Sequence, residues 1–344
     1  MMKQCDVVII GGGIAGLTVA KYLAEEGVDF VLFEEHNDWF QKACGEGIIA
    51  EIAGYNFFDI YESKRGVERE VKETVVHSRY GDVLLCLPYF IVDKKRVEEE
   101  LARQVIKKGG RIIMNEKVTE IQGLKPLVLP QNVEAEIVVG ADGANSLVRR
   151  WLGVSDPYMG FAVETKAKLE IPMDKSHVEL KGETVPYGYS WFFPKKNSWN
   201  IGVGAFHIKY FKDSFKRFRS RFKNVKGWRG AFLPLSRPTR TYGRRGILVG
   251  DSASQVISSV GAGNTTAAIC GKLAAECITR FSRSGYRNMD LSLYEKIWRK
   301  SLLKLFSVSY FSSRLFFTLF RINEYLADVL LRKMVESVSK LYRR

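Results

Sequence analysis

The stretch that most restricts this fold stands at its start. Asp6 to Ile10 is a short apolar run rich in Val and Ile, the pattern of a parallel strand buried on both faces, and it runs directly into Gly11-Gly12-Gly13-Ile14-Ala15-Gly16. Gly11, Gly13 and Gly16 carry the G-x-G-x-x-G spacing. A helical pattern through Leu17, Ala20, Tyr22, Leu23 and Ala24 then ends at Gly27, and a second apolar strand, Phe30 to Phe33, leads to Glu34 and Glu35. The first glycine permits a tight turn, the second lets backbone approach a pyrophosphate, and the third lets helix and strand pack closely. The helix N-terminus turns unpaired N–H groups and a positive dipole toward the phosphates. An acid about 20 residues further on accepts the ribose hydroxyls, and Glu34 stands there, with Glu35 the alternative. The complete strand–turn–helix–strand–acid order predicts a dinucleotide cradle; the competing reading is a glycine-rich turn in some other strand–helix–strand unit.

A nicotinamide dehydrogenase would continue with alternating strands and helices. Here the chain leaves for the irregular stretch 36–61, and three motifs follow. They are Cys44-Gly45-Glu46-Gly47-Ile48; a strand, Ile137 to Val139, ending in Gly140, Asp142 and Gly143; and a strand, Ile247 to Val249, ending in Gly250-Asp251 before Gly261 and Gly263 open a helix. In this order the motifs resemble the FAD-dependent oxidoreductases of the para-hydroxybenzoate hydroxylase type. The resemblance implies FAD as cofactor, with Asp251 on its ribityl chain and the helix after Gly263 aimed at the flavin. It extends the cofactor-binding set of Gly11, Gly13, Ile14, Ala15, Gly16, Glu34 and Glu35 to Cys44, Gly45, Gly47, Lys94, Val118, Asp142, Gly143, Gly250, Asp251, Gly261, Gly263 and Asn264.

Two short stretches narrow the likeness. Cys44–Ile48 looks like the flavin-proximal loop of the geranylgeranyl reductase family, and Pro186, Tyr189, Trp191, Phe193 and Pro194 match its P-x-x-Y-x-W-x-F-P signature. On a strand, alternate side chains share a face, so Tyr189, Trp191 and Phe193 form one aromatic wall. The resemblance makes that wall the lining of a substrate cavity for a prenyl chain; the plain alternative is an aromatic face packed in the core. The implied reaction is saturation of C=C bonds, with Cys44, Tyr189 and Trp191 as catalytic candidates. Tyr189 is read as a proton relay or a shaping group, and Cys44 as a proton donor, a gate or an inert buried thiol. Glu46 is expected to be structural or solvent-facing. The chain departs from the family pattern where Asp93-Lys94-Lys95-Arg96-Val97-Glu98 replaces D-R-x-x-F-D, putting an ammonium in place of a guanidinium fork. Ser252, Ser254, Ser258 and Asn264 replace the usual Ala, Gly, Pro and Ile. The alternatives in function are an FAD-dependent aromatic monooxygenase of the same fold and a membrane-associated flavoprotein without turnover.

Charge supplies the remaining expectation. With 53 Lys+Arg against 38 Asp+Glu among 344 residues, the net charge is +15. Much of the excess sits in Lys209 to Arg229, where Phe211, Phe215, Phe218 and Phe222 recur at helical spacing, and in the Leu- and Phe-rich tail from Leu291. These segments are read as amphipathic helices, either at an anionic membrane surface or packed on the substrate region and covering its cavity. No strongly apolar stretch of about 20 residues is free of charge, so no spanning helix is expected. The five Cys form no CxxC pair and the four His are not at metal-ligand spacing, so the chain is read as reduced and cytoplasmic, with peripheral membrane association and no metal. Nucleic acid is a marginal partner, since no RNA-binding motif is present. An electron donor, whether NAD(P)H, ferredoxin or another, is required and not specified. The expected fold is α/β: an FAD-binding Rossmann-like domain (1–50, 93–157, 236–288), an inserted mixed β-sheet substrate domain (51–92, 158–235), and a helical, basic amphipathic C-terminal segment (289–344).

Overall fold

A computed structural model describes residues 3–342. Met1, Met2, Arg343 and Arg344, which the outer boundaries of the expected segments take in, lie outside the described residues. Two sheets organise the chain. The first is built around Lys3–Ile10, which pairs in parallel with Phe30–Phe33 on one side and with Val133–Gly140 on the other. Arg111–Ile113 extends it in parallel beyond Phe30–Phe33, and Gly246–Leu248 adds to the far end of Val133–Gly140. A short antiparallel meander, Glu120–Gln122 and Leu127–Leu129, finishes that edge. Burial on both faces explains why these strands read as continuous apolar runs. One face, with Val7, Ile9 and Leu32, packs under the helices Ile14–Glu25, Lys94–Lys107 and Asn264–Ser282; the other, with Val8, Ile10 and Phe33, packs against Val148 and the meander.

The second sheet has eight strands in the order Arg229–Pro234, Met159–Ala167, Trp199–Ala205, Gly188–Pro194, Ser176–Leu180, Val67–Ser78, Gly81–Val92 and Gly47–Ile48. It is mixed, as expected: Ser176–Leu180 runs parallel to Val67–Ser78 and the other neighbours are antiparallel. Gly47–Ile48 hydrogen-bonds with Phe90 and Ile91. The Cys44–Gly47 loop is therefore stitched to the second sheet, although its sequence position assigns it to the first unit.

One helical expectation is corrected. The basic stretch from Lys209 does not remain helical to Arg229: the α-helix is Phe211–Ser220, a turn through Gly227 (φ +76°) follows, and Arg229–Pro234 is a strand. Phe218 is fully buried, and Phe215, Phe222 and Trp228 pack with it against Phe192 and Ile201. Of the two readings of the Phe stripe, packing is the observed one. The tail forms two helices, Ser292–Ile322 and Glu324–Tyr342, broken at Asn323, whose Oδ1 accepts from Leu326 N (3.1 Å) and caps the second. Trp298, Leu302 and Phe306 complete the core beside Asn264–Ser282, and Phe316, Phe317 and Phe320 pack with Phe206 and Leu235. The tail thus covers both sheets. Among the described residues no helix is long and apolar enough to cross a membrane.

Candidate functional site

The glycine turn has the geometry its spacing predicts. Gly11 lies at φ +103°, and a Cβ there would sit 2.4 Å from the Ala141 carbonyl oxygen; at Gly16 it would come within 2.0 Å of Gly11 O. Gly13 has nothing within 4 Å of its Cβ position. It also caps the Ile14–Glu25 helix without a side-chain hydrogen bond, and no acid lies in the first turn, so the N–H groups after Gly13 face an open, positive space. Glu34 closes the rim. Its carboxylate accepts from Gly12 N (2.6 Å) and His36 N (3.0 Å) and shares a hydrogen bond with His36 Nδ1 (2.6 Å). Glu35 turns outward to Lys117 (2.7 Å), so Glu34 is the acid of the cradle and Glu35 is corrected to a surface residue.

A second rim faces it. Gly250 (φ +69°) packs so closely that a Cβ would lie 2.9 Å from Ala15 Cβ, which fixes the Gly250–Asp251 turn against the first turn of the cradle helix. Asp251 forms an ion pair with Lys42, a residue the sequence reading did not single out. The Asn264–Ser282 helix starts at Gly263, again without a side-chain cap or an acid in its first turn. Gly261 (φ +62°) turns the chain beside Tyr189 Oη. Two uncapped helix starts and two carboxylates therefore line one crevice.

Three sequence candidates do other work. The Asp142 carboxylate accepts from Ser146 Oγ (2.6 Å), Leu147 N (2.6 Å) and Val148 N (3.2 Å), and so caps the Leu147–Trp151 helix; burial outweighs these bonds and raises its carboxyl above the ordinary range. Gly143 (φ +75°) belongs to that capping turn. Val118 is a core residue, packed with Ile10, Phe33 and Val128.

The Cys44–Gly47 loop crosses from the crevice to the aromatic wall. Cys44 Sγ accepts from Glu46 N (3.3 Å) and from Asn264 Nδ2 (3.6 Å), and Asn264 Nδ2 also donates to Gly47 O (3.0 Å). Glu46 is fully buried at φ +61°, a left-handed conformation unusual for a non-glycine residue. This corrects the solvent-facing reading and bears out the structural one. Its Oε1 accepts from Lys94 N (3.1 Å) and pairs with Lys195 Nζ (3.0 Å), while Oε2 accepts from Asn200 Nδ2 (3.1 Å). Lys195 also pairs with Glu68 (3.1 Å), so the buried charges compensate one another. Lys94 Nζ lies near Glu98 Oε1 (3.5 Å). Burial alone would pull the Lys94 ammonium down, but the electrostatic attraction of the groups around it, the Glu98 and Asp251 carboxylates among them, outweighs this and holds it above its ordinary range.

Tyr189, Trp191 and Phe193 share one face, with ring centroids 6.2 and 6.3 Å apart along the strand. Gly45 lies directly on this wall: a Cβ there would be 3.0 Å from Phe193 Cε2 and 3.5 Å from Trp191 Nε1. Trp191 Nε1 donates to Asn200 Oδ1 (2.9 Å), and Asn200 Nδ2 donates to Cys44 O (2.9 Å), so one amide joins wall, loop and buried carboxylate. Tyr189 Oη donates to Val260 O (2.7 Å), and burial holds its phenol well above the ordinary range. Asn200, Lys195, Lys42 and Glu98 are the residues that sequence reasoning missed. A signal for Asn200 was present: Asn200, Gly202 and Gly204 alternate on the strand paired with Gly188–Pro194, and Phe193 stands opposite Asn200 and Trp191 opposite Gly202.

A nucleotide-type cradle facing an aromatic wall across two sheets defines the class, the fold of flavin-dependent oxidoreductases. The lycopene cyclase protein family matches residues 6–180, just over half of the 344, and the chain belongs to that family. Its curated relatives include the digeranylgeranylglycerophospholipid reductase of Methanothrix thermoacetophila, 27% identical over 335 residues (88% of this chain, 84% of the relative). The enzyme of that name from Methanosarcina acetivorans is 28% identical (86% and 81%), and the geranylgeranyl diphosphate reductase of Synechocystis sp. is 26% identical (86% and 81%). In fold, the chain is similar to a geranylgeranyl bacteriochlorophyll reductase-like protein from Thermoplasma acidophilum, with a TM-score of 0.82 at 21% identity over 98% of this chain and 92% of that one. A probable FAD-dependent monooxygenase from Pseudomonas aeruginosa gives 0.73 at 15% identity (95% and 100%). These likenesses bear out the resemblance to geranylgeranyl reductases read from the motifs.

Proposed function

We propose that the protein is an FAD-dependent reductase that saturates C=C bonds in the prenyl chain of a membrane lipid or isoprenoid quinone. The contact of Gly45 with Trp191 and Phe193 carries this reading, because it sets the loop that closes the crevice directly on an apolar wall. The crevice fits FAD. The N–H groups after Gly13 suit the pyrophosphate, Glu34 the adenosine ribose, Asp251 the ribityl hydroxyls and the helix start at Gly263 the pyrimidine end of the flavin. Reduced FAD, when bound, supplies the hydride; each saturated bond also takes up one proton, so the product gains two hydrogens. Cys44 Sγ, beside Asn264 and under the charge of Lys94, is the side chain we assign to hold that proton. Trp191 and Phe193 exclude water and shelter positive charge developing on the tertiary carbon. Tyr189, whose hydroxyl is committed to Val260 O, shapes the wall.

The first sheet with its helices serves as the cofactor unit and the second as the substrate unit, with the anionic membrane surface as the source of the lipid. The names of the reductase relatives, matched over 86–88% of this chain, favour reduction over oxygenation. Mass spectrometry of a polyprenyl substrate incubated with dithionite-reduced, FAD-loaded protein tests this. Gains in steps of about 2 Da support the reductase, since each is one hydride and one proton. A colourless protein that takes up no FAD, or an unchanged substrate, overturns it.

A further inference from the structure

The Ser292–Ile322 helix has a second apolar face that the packing described above leaves uncovered. Its inward face carries Trp298, Leu302, Phe306, Phe316, Phe317 and Phe320. At 3.6 residues per turn, Val308, Phe311, Leu315 and Ile322 fall on one outward stripe, and they are 59%, 58%, 65% and 72% exposed. Two further exposed apolar side chains adjoin the helix. Val260, 50% exposed, is held beside it by the hydrogen bond from Ser259 N to Ser309 Oγ (2.8 Å). Ile208, 48% exposed, precedes Tyr210, whose hydroxyl accepts from Arg321 Nη1 (3.0 Å). The charge around the stripe is predominantly positive, the acids Glu295 and Glu324 standing just beyond its two ends. Lys296, Arg299, Lys300, Lys304, Arg314 and Arg321 lie between 296 and 322, with no Asp or Glu among them. Arg237 lies over the Phe311 ring at 5.8 Å, and Lys209 flanks Tyr210.

We propose that this stripe is the face on which the protein docks to an anionic phospholipid bilayer. Val308, Phe311, Leu315 and Ile322 enter the boundary between headgroups and acyl chains, and Arg314, Arg321 and the neighbouring lysines engage lipid phosphates. The charge pattern selects this occupant. A second copy of the chain meeting the stripe about a two-fold axis would set cations against cations, whereas an anionic surface neutralises them. The helix that carries the stripe is also joined, through its inward face, to the candidate site. The Val260 carbonyl accepts from Tyr189 Oη, the Tyr189 ring lies 6.0 Å from Phe206, and Phe206 lies 4.2 Å from Phe317 on the same helix. Aromatic rings therefore lead from the docking helix to the wall, so a chain leaving the bilayer meets the Tyr189 end first. That last step rests on the prenyl reductase reading; the docking face itself does not.

Flotation of the full-length, FAD-loaded protein with vesicles tests the proposal. Wild type is expected to float with vesicles of mixed phosphatidylglycerol and phosphatidylcholine, less so as salt rises, and to stay behind with pure phosphatidylcholine. Phe311→Asp with Leu315→Asp should lower anionic-vesicle binding at least tenfold, by roughly the loss of two buried large side chains. Each of Arg314→Gln and Arg321→Gln should lower it about fivefold. Leu124→Asp, a substitution at a 72% exposed residue on another surface, should leave binding unchanged. Retained FAD absorbance and melting temperature show that each variant is folded. Undiminished flotation of the Phe311/Leu315 variant overturns the proposal, as does a wild-type dimer in size exclusion that this variant splits. Wild type that floats but reduces no detergent-dispersed prenyl substrate would sink the reductase reading and leave the docking face standing.

Discussion

At the residue scale, the wall depends on what lies beneath it. Trp191 fits because Gly202, opposite it in the hairpin, has no side chain: a Cβ there would fall 2.1 Å from Trp191 Cζ2. Two residues on, Gly204 is different, since its Cβ would meet Ala162 Cβ at 3.4 Å, an ordinary contact. Gly202→Ala should therefore push the indole out of register and cost about 1–3 kcal/mol, with turnover down at least tenfold. Gly204→Ala should stay within about 0.5 kcal/mol of wild type. Thermal melts and single-turnover reduction on the two variants check the pair; equal behaviour would show that the wall is not held in this way. Glu46 shows why part of the site was illegible in the sequence. Nothing local marks a glutamate as left-handed and buried, and its partners Lys195 and Asn200 are more than a hundred residues away. Glu34 was legible because its role follows from spacing alone.

At the element scale, what was legible followed from periodicity and what was not followed from partners. Phe30–Phe33 ends where its apolar run ends, but the basic helix stops at Ser220 because the following residues turn back to become an edge strand of the second sheet. The cradle helix provides the sharpest test of an element's function. A Cβ at Gly13 meets no atom within 4 Å, so Gly13→Glu starts into open space, and an acid at a helix start is mildly favourable to the free protein. The same carboxylate would oppose a pyrophosphate. Stability without cofactor should be unchanged or slightly raised, while FAD affinity falls at least about a hundredfold, roughly 2.7 kcal/mol; titration of the apoprotein by fluorescence quenching measures this. A second test concerns the Ser176–Leu180 strand. Glu179 accepts from both terminal nitrogens of Arg221 (2.5 and 2.8 Å) and from Ser190 Oγ (3.0 Å). Burial alone would raise its carboxyl, but Arg221 and Ser190 outweigh this and hold it below the ordinary range. A lowered folded-state value means stability present above the unfolded value near 4.5 and lost as pH falls through the folded one. Glu179→Gln should cost about 1–2 kcal/mol at pH 7, discounted for the exposed side of Arg221, and the difference should shrink below pH ~4.5 in denaturant titrations.

At the scale of the molecule, the question is whether two sheets act as one body. Several connections cross between them. The Cys44–Gly47 loop is hydrogen-bonded to Asn264 on one side and Asn200 on the other; Arg229 of the second sheet donates to Phe40 O (3.0 Å); and the tail helices fill both cores. None of these contacts is visible in the sequence, because each joins residues far apart in the chain whose local patterns are already satisfied. If the connections couple the units, ligand binding at the crevice must stabilise the second sheet as well as the first. FAD at a hundred times its Kd contributes about 2.7 kcal/mol by mass action, a rise in melting temperature of about 4 °C for a chain of this size. Hydrogen exchange should then slow in Gly188–Pro194 and Trp199–Ala205, the strands of the wall, together with the strands of the cradle. Protection confined to Lys3–Ile10 and its neighbours would mean that the sheets open independently. The geometry argues for the first outcome, since the loop, which lies on the wall through Gly45, cannot leave it without also releasing Asn264 at the start of the Asn264–Ser282 helix.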